Sequence, residues 1–91
     1  MKKDSGAGKK KVRFEMSVTN GAKAYVAGSF NNWTPLELSR NILNGKLGRT
    51  VQLPQGRHEY KFIVDGAWLP DAANPRSTVN SFGSLNSVIE V

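Results

Sequence analysis

Hydrophobic and polar residues alternate in several short segments of this chain, and this pattern predicts β-strands. Residues 12–18 alternate strictly between apolar and polar positions, which is typical of a half-buried strand. The other segments with strand character are residues 22–27, 36–39, 47–53, 57–64, 67–69 and 85–91. Turn-forming residues separate these segments, residues 70–83 read as a loop, and no window has helical periodicity. The pattern therefore predicts an all-β, antiparallel sandwich of immunoglobulin-like type with about seven short strands.

The dipeptide Asp65-Gly66 predicts a two-residue hairpin, because both residues tolerate a positive φ. The opposed pairs that follow from this turn are Val64 with Ala67, Ile63 with Trp68, and Phe62 with Leu69. Directly opposed residues share a face of the sheet. We therefore expect Phe62 and Leu69 to point to the core, and Lys61 and Trp68 to point outward as diagonal neighbours.

The eight aromatic residues fall into two groups according to their surroundings. Those in strand alternation are expected in the core; they are Phe14, Tyr25, Tyr60 and Phe62. Those in or beside segments rich in Asn, Ser, Gly and Pro are Phe30, Trp33, Trp68 and Phe82. An outward indole beside a lysine suits a sugar, since a pyranose has an apolar C–H face and a rim of hydroxyls. The pattern alone equally allows Trp68 to cover a second apolar layer and Trp33 to fill a loop.

The basic charge of the chain is concentrated at its start. The chain has a formal net charge of +6, and residues 1–13 hold six of its thirteen basic residues and one of its seven acidic residues. Residues 1–11 have too few apolar side chains to fold and are predicted to be a disordered basic leader, followed by one domain over residues 12–91. The folded part is expected to be nearly neutral, which disfavours a nucleic-acid partner.

Several other classes of site and location are disfavoured by the sequence. The chain lacks cysteine, so disulfides, thiol nucleophiles and thiolate metal sites are excluded. The single histidine, His58, shares a face with Tyr60 and Phe62 and is expected to be a packing residue. No two carboxylates are paired as an acid and a base would be, so we expect no catalysis. No apolar run is long enough to span a membrane, and no signal peptide is recognisable, which favours a cytoplasmic location.

Three segments of the chain resemble one known family. They are residues 28–33 (GSFNNW), residues 53–68 (LPQGRHEYKFIVDGAW) and residues 83–91 (GSLNSVIEV). They are similar to the glycogen-binding domain of AMP-activated protein kinase beta subunits, within carbohydrate-binding module family forty-eight. Related domains precede the catalytic domains of glycogen branching and debranching enzymes. The likeness covers residues 12–91, and its motifs occur in the family's order.

The resemblance implies an early-set immunoglobulin-like sandwich that binds α-1,4-linked glucans such as glycogen, starch and maltooligosaccharides, without catalysis, cofactor or metal. The residues on which the family's carbohydrate contacts fall are Trp33, Lys61, Trp68, Phe82, Ser84 and Asn86. Phe82 stands where the family usually has leucine, Ser84 where it has threonine, and Asp71-Ala72 where it has Asp-Pro. The first difference is expected to change how curved or branched glucan is accommodated, and the last to loosen the loop over residues 70–75.

A second class of function stays open at this point. A domain of this fold can act as a regulatory or protein-interaction module that recruits a partner through a sheet edge. The partner would then be a kinase or a glycogen-metabolising enzyme. Loss of either tryptophan would favour that interpretation, and both are present. Carbohydrate binding is therefore the favoured prediction.

Overall fold

The structure, a computed structural model, describes residues 9–18 and 21–91 of the chain. The strands are β1 (Lys9–Met16), β2 (Ala24–Gly28), β3 (Leu36–Glu37), β4 (Ser39–Arg40), β5 (Leu47–Pro54), β6 (Arg57–Val64), β7 (Ala67–Leu69), β8 (Ser77–Val79) and β9 (Leu85–Glu90). One 3₁₀ turn, Ser29–Asn31, follows β2. The chain is thus built almost entirely of strands and turns where it is described, as its alternating pattern predicts.

The strands form two antiparallel sheets. The smaller sheet has the order β1-β5-β4, and the larger has the order β3-β2-β6-β9-β8, with β7 also paired to β6. Strand β6 lies at the centre of the larger sheet, because it pairs with β2 on one side and with β9 and β7 on the other. The prediction of an all-β sandwich is confirmed.

The core lies between the two sheets and takes side chains from both. Its buried members are Phe14, Ala24, Val26, Leu38, Leu47, Leu53, Tyr60 and Phe62. The ring of Tyr60 meets the rings of Phe14 and Phe62 edge to face, at centroid distances of 4.8 and 5.9 Å. His58 is also buried, and its Nε2 lies 2.8 Å from the carbonyl oxygen of Pro54. The prediction that His58 packs rather than catalyses agrees with this position.

The first strand begins earlier than the sequence predicts. Strand β1 starts at Lys9, and Lys9–Lys11 pair with β5, so these three residues do not belong to a leader. Residues 1–8 of the predicted leader lie outside the described residues. Because Phe14 points into the core, Lys9, Lys11 and Arg13 share the solvent face of β1. Part of the basic charge assigned to the leader therefore lies on the folded domain, contrary to the expectation of a nearly neutral one.

The predicted third strand is in fact two short strands in different sheets. Residues 36–37 pair with β2 in the larger sheet, whereas residues 39–40 pair with β5 in the smaller one. Leu38 lies between them, is buried, and donates its backbone N–H to the carbonyl of Ala24 at 2.9 Å. The chain therefore crosses from one sheet to the other at Leu38. Alternation over four residues cannot distinguish such a crossing from one continuous strand.

The hairpin register is correct, but two expectations of burial are wrong. The pairs Val64–Ala67, Ile63–Trp68 and Phe62–Leu69 are those predicted from the turn. Leu69 is nevertheless 42% exposed, because β7 lies at the end of β6, where the sandwich gives little cover. Tyr25 is only half-buried and stays out of the core, since its neighbours Ala24 and Val26 occupy the inner face.

The long segment between β7 and β9 is more ordered than a plain loop. It contains β8, which pairs with β9. Before β8, the Asp71 backbone N–H donates to Ser87 Oγ at 2.7 Å, and Asn74 Nδ2 donates to the Val88 carbonyl at 2.9 Å. The Tyr60 hydroxyl donates to Asp71 Oδ2 at 2.7 Å. Burial, and then this bond to a carboxylate, raise the pKa of Tyr60 well above its usual value. These bonds hold the loop over residues 70–75, in which Asp71-Ala72 stands where the family has Asp-Pro.

Candidate functional site

An open cleft of about 540 Å³ lies on the face of the larger sheet that points away from the core. We call it the outer cleft. Its lining residues are Ser29, Trp33, Glu59, Lys61, Trp68, Asn80, Ser81, Phe82, Ser84 and Asn86. All six site residues predicted from the sequence are among them. Three separate parts of the chain therefore meet here: the turn after β2, strands β6 and β7, and the loop from β8 into β9.

The hairpin between β6 and β7 places Trp68 in the outer cleft. Asp65 and Gly66 both have a positive φ, of 51° and 81°, as a two-residue type I′ turn requires. This turn sets Trp68 opposite Ile63, on the face away from the core. The Trp68 side chain is 46% exposed, whereas Ile63 beside it is buried. A large part of the indole is thus available to a ligand.

Trp33 reaches the cleft from an unusual backbone conformation. Asn32 and Trp33 have φ values of 58° and 60°, in the left-handed region. Asparagine tolerates this region, but tryptophan rarely adopts it, because its Cβ crowds the backbone. Such a residue costs about 1–3 kcal/mol and persists only where surrounding contacts hold it. Strain of this kind occurs mainly at functional sites, so the turn is an independent indication that the position of Trp33 matters.

The contacts that hold this turn come from its neighbours in sequence and from residues on other strands. Asn31 accepts the Gly28 N–H through Oδ1 at 3.1 Å and donates from Nδ2 to the Thr34 carbonyl at 2.7 Å. The Trp33 N–H donates to the Gly28 carbonyl at 2.9 Å. Phe30 packs inward against Phe14, with ring centroids 5.6 Å apart, so it anchors the turn and is not a surface aromatic. One side of the turn is therefore fixed in the core, and the other presents Trp33.

The floor of the cleft is a chain of hydrogen bonds between polar side chains. Lys61 Nζ donates to Ser84 Oγ at 2.7 Å, and Asn80 Nδ2 donates to the same oxygen at 2.8 Å. Asn80 Nδ2 also donates to Asn86 Oδ1 at 3.1 Å, and Asn86 Nδ2 donates to Glu59 Oε1 at 2.9 Å. Lys61 and Asn86 are buried. The predicted outward face of Lys61 is right, but its side chain forms part of the floor instead of extending into solvent.

These bonds determine which polar groups face a ligand. The Ser84 oxygen accepts two hydrogen bonds, which uses both of its lone pairs and leaves its proton free to donate. Lys61 keeps two further N–H donors, and the Glu59 carboxylate keeps acceptor positions beyond the one that Asn86 uses. The floor can therefore donate to and accept from a ligand that carries many hydroxyls.

The remaining predicted residue, Phe82, lies at the tip of the loop between β8 and β9. Its side chain is 94% exposed although it lines the cleft. The loop is a tight turn, because the Phe82 N–H donates to Asn80 Oδ1 at 2.9 Å and Gly83 adopts a φ of 82°. A phenyl ring that is almost fully exposed at a loop tip buries little apolar surface and so contributes little to stability, unless a ligand covers it.

Four lining residues were missed in the sequence, namely Ser29, Glu59, Asn80 and Ser81. Glu59 follows from alternation along β6, since it must share the face of Lys61 two residues later. Asn80 belongs to the run Asn-Ser-Phe-Gly-Ser, whose residues favour turns closed by side-chain amides. The sequence therefore indicates a turn at Asn80, but it does not indicate a site residue. Only the hydrogen bond between Asn80 and Asn86 in the structure connects this turn to the cleft.

Residues 9–18 and 21–91 lack both a metal-binding cluster and a membrane-spanning helix. No group of three or more histidine or carboxylate side chains there is arranged to hold a metal ion. In the same residues, no helix has the length and apolarity that a membrane crossing requires.

Comparison with known proteins gives a family match over nearly the whole described chain. Residues 11–91 match the family described as the glycogen recognition site of AMP-activated protein kinase. The chain is 42% identical over 71 residues to the beta-1 subunit of 5'-AMP-activated protein kinase from pig, and 44% identical over 71 residues to that from cattle. It is 40% identical over 74 residues to the mouse beta-2 subunit.

Each of these three alignments covers 78% of this chain. They cover 56% of the pig sequence, 25% of the bovine one and 26% of the mouse beta-2 sequence, so the chain spans about half or less of the relatives it matches. The resemblance inferred from residues 28–33, 53–68 and 83–91 is confirmed. The chain belongs to the family of the glycogen recognition site of AMP-activated protein kinase, a family of carbohydrate-binding modules.

Proposed function

We propose that the outer cleft binds α-1,4-linked glucans, such as glycogen, starch and maltooligosaccharides, without altering them. The observation that carries this proposal is the meeting of two accessible indoles, Trp33 and Trp68, with a hydrogen-bonded polar floor. The indoles supply flat apolar surfaces for the C–H faces of glucose rings. The floor supplies donors and an acceptor for the hydroxyls at their edges.

The charges in the cleft favour a neutral ligand. Among the described residues that line it, Lys61 and Glu59 are the charged ones, and their charges are opposite. A nucleic-acid site would instead present several cations and no carboxylate to the phosphates. The basic residues Lys9, Lys11 and Arg13 lie on the smaller sheet, outside the cleft. The proposal therefore treats binding in the cleft as independent of that basic surface.

The absence of catalysis is also part of the proposal. Glycoside hydrolysis normally uses two carboxyl groups on either side of the bond that breaks. Glu59 is the single carboxylate among the described lining residues, and its Oε1 already accepts a hydrogen bond from Asn86. Neither a metal nor a cofactor is needed for stacking and hydrogen bonding.

Intrinsic fluorescence tests the proposal directly, because both tryptophans of the chain line the cleft. Adding maltoheptaose is expected to change the emission and to saturate. Two ring stacks with a few hydrogen bonds correspond to a Kd of about micromolar to millimolar. A titration with the non-stacking polyol sorbitol at equal mass is the control. If maltoheptaose changes the emission no more than sorbitol does, the proposal is wrong.

The salt dependence of the same titration separates a sugar site from a polyanion site. A neutral glucan releases no counterions, so the Kd for maltoheptaose is expected to change by less than about twofold between about 50 and 200 mM NaCl. A polyanion held by several cations would lose affinity steeply over that range. Steep salt dependence of maltoheptaose binding would contradict a contact made by stacking and neutral hydrogen bonds.

Replacing Phe82 by alanine should affect curved glucans more than it affects the fold. The ring is 94% exposed, so the free energy of unfolding should change by less than about 0.5 kcal/mol. If the ring contacts the inner curve of a glucan, affinity for β-cyclodextrin should fall about threefold to tenfold, whereas Phe82→Leu should retain most of it. Calorimetry with both variants measures this. Equal β-cyclodextrin affinities for Phe82→Ala and the parent would remove Phe82 from the site.

A protein partner is a further part of the proposal. The relatives described above are kinase subunits, which supports a kinase as the partner; a glycogen-metabolising enzyme is the alternative. A cytoplasmic location is proposed with either partner. The partner would not need the outer cleft. Recruitment through the open edge of β1 is disfavoured, because Lys9–Lys11 lie on this edge strand and lysines oppose strand addition. A protein-interaction role alone would be supported if the glucan titrations fail.

A further inference from the structure

We infer that Asn80 is a positioning residue of the outer cleft, which fixes the loop carrying Phe82 and turns the Ser84 hydroxyl into a pure donor toward the ligand. This inference rests on the proposed glucan function. It assigns to Asn80 no direct contact with the sugar. Asn80 instead affects glucan binding indirectly, because its side-chain amide holds Phe82 and Ser84 in position.

The first observation is that the side-chain amide of Asn80 is fully engaged. Its Oδ1 accepts the backbone N–H groups of Phe82 and Ser84 at 2.9 and 3.1 Å. Its Nδ2 donates to Ser84 Oγ at 2.8 Å and to Asn86 Oδ1 at 3.1 Å. An amide has two acceptor lone pairs and two donor hydrogens, so none is left for a ligand. A saturated amide that lines a cleft organises its neighbours.

The second observation is that the backbone of Asn80 closes the same loop. Its N–H donates to the Ser84 carbonyl at 2.8 Å, and its carbonyl accepts the Gly83 N–H at 3.0 Å. The loop 80–84 is thus held from within and is joined to β9 through Asn86. Phe82, which is 94% exposed, has no packing of its own to hold it in place. Its position over the cleft therefore depends on Asn80.

The direction of the Ser84 hydroxyl follows from the donors around it. Lys61 Nζ and Asn80 Nδ2 both donate to Ser84 Oγ, at 2.7 and 2.8 Å. With both lone pairs used, the hydroxyl can only donate, and its proton is directed to a sugar oxygen. Without the Asn80 donor, one lone pair is freed, and the hydroxyl can then donate to another group or accept from one. Lys61 alone does not determine its direction.

Two variants separate the two parts of this role. Asn80→Ala removes every side-chain bond, whereas Asn80→Asp keeps an acceptor for the backbone N–H groups and loses both donors. We expect Asn80→Ala to weaken maltoheptaose binding about fivefold to tenfold, and Asn80→Asp about threefold to fivefold. Asn44→Ala is the matched control: Asn44 also accepts a backbone N–H in an exposed turn, from Lys46 at 2.9 Å, but lies outside the cleft. Its affinity should equal that of the parent.

A double-mutant cycle with Ser84 distinguishes positioning from a general loss of structure. If Asn80 acts through the Ser84 hydroxyl, Asn80→Asp should weaken binding in the parent but hardly at all in a Ser84→Ala background. An equal loss in both backgrounds, or Asn80 variants that bind as tightly as Asn44→Ala, would overturn the inference.

Amide hydrogen exchange tests the loop without any glucan. The N–H groups of Phe82 and Ser84 should exchange slowly in the parent and in Asn80→Asp, and faster in Asn80→Ala. Unchanged exchange in Asn80→Ala would show that Asn80 does not hold the loop, and would overturn the inference. Failure of the parent to bind maltoheptaose, with exchange behaving as expected, would instead overturn the proposed function and the ligand-directed part of this role.

Discussion

Alanine in place of Trp33 or of Trp68 is expected to weaken maltoheptaose binding at least about tenfold in each case. A glucose ring stacked on an indole hides about 50–80 Å² of apolar surface, which contributes on the order of 1–2 kcal/mol. Each 1.4 kcal/mol corresponds to about a factor of ten in Kd. Calorimetry with each variant measures the loss. In the fluorescence titration, each variant should keep only the part of the signal that comes from its remaining tryptophan.

Both variants should keep their fold, so a loss of affinity would report the loss of a ligand contact and not unfolding. Trp68 is 46% exposed on a short strand, and alanine at position 33 carries the same Cβ as tryptophan, so the cost of the left-handed conformation is common to the parent and the variant. Tyr25→Ala is the matched control, because Tyr25 is an aromatic residue on the same face, paired to Ile63, and lies outside the cleft. Tryptophan variants that bind as tightly as Tyr25→Ala would exclude the outer cleft as the glucan site and leave the protein-interaction alternative.

The elements near β6 could be predicted because their signals are local. Strand β6 has the range that the sequence pattern predicts, Arg57–Val64, and the Asp65-Gly66 turn fixes the register of β7. A two-residue turn leaves no freedom in pairing, so the outward position of Trp68 follows from the sequence without a structure. Trp33 is different, because alternation does not predict the direction of a side chain in a turn. Only the family resemblance placed Trp33 in the same predicted site.

The features that could not be predicted from the sequence depend on contacts between distant segments. The crossing at Leu38 depends on which sheet each neighbouring residue joins, and β8 is a strand only because β9 pairs with it. Lys61 donates its hydrogen bond to Ser84, which lies 23 residues later. The left-handed backbone at Trp33 is contrary to its residue type, and it is held by contacts that local propensity does not describe.

The start of the domain shows how composition can mislead. Three consecutive lysines at 9–11 lower the apolar content of the first residues, which predicts disorder. In the structure these lysines belong to an edge strand, where exposed lysines are expected because they prevent pairing with other chains. The same charge therefore has two physical explanations, and only pairing with residues 52–54 distinguishes them.

Phe62→Ala is expected to destabilise the domain by about 3–5 kcal/mol, the largest stability effect of the substitutions considered. Phe62 is 1% exposed, lies on the inner face of β6 and meets the Tyr60 ring edge to face at 5.9 Å. Its loss leaves a cavity between the two sheets that a small sandwich cannot fill by collapsing. Because domains of this size have total stabilities of about 5–15 kcal/mol, the variant should unfold at much lower urea concentration.

Leu69→Ala is the matched control for this effect, because Leu69 is the register partner of Phe62 on the same face yet is 42% exposed. Its substitution should cost about 1 kcal/mol or less, since little apolar surface leaves the core. If Phe62→Ala does not fold at all, Phe62→Leu removes less of the side chain and should still fold. Its urea midpoint is expected to be measurable and lower than that of the parent. Equal urea midpoints for Phe62→Ala and Leu69→Ala would contradict the assignment of Phe62 to the core. The tryptophan variants should unfold near the parent midpoint, because the rings that carry the proposed binding lie on the opposite face of β6 from the ring that holds the two sheets together.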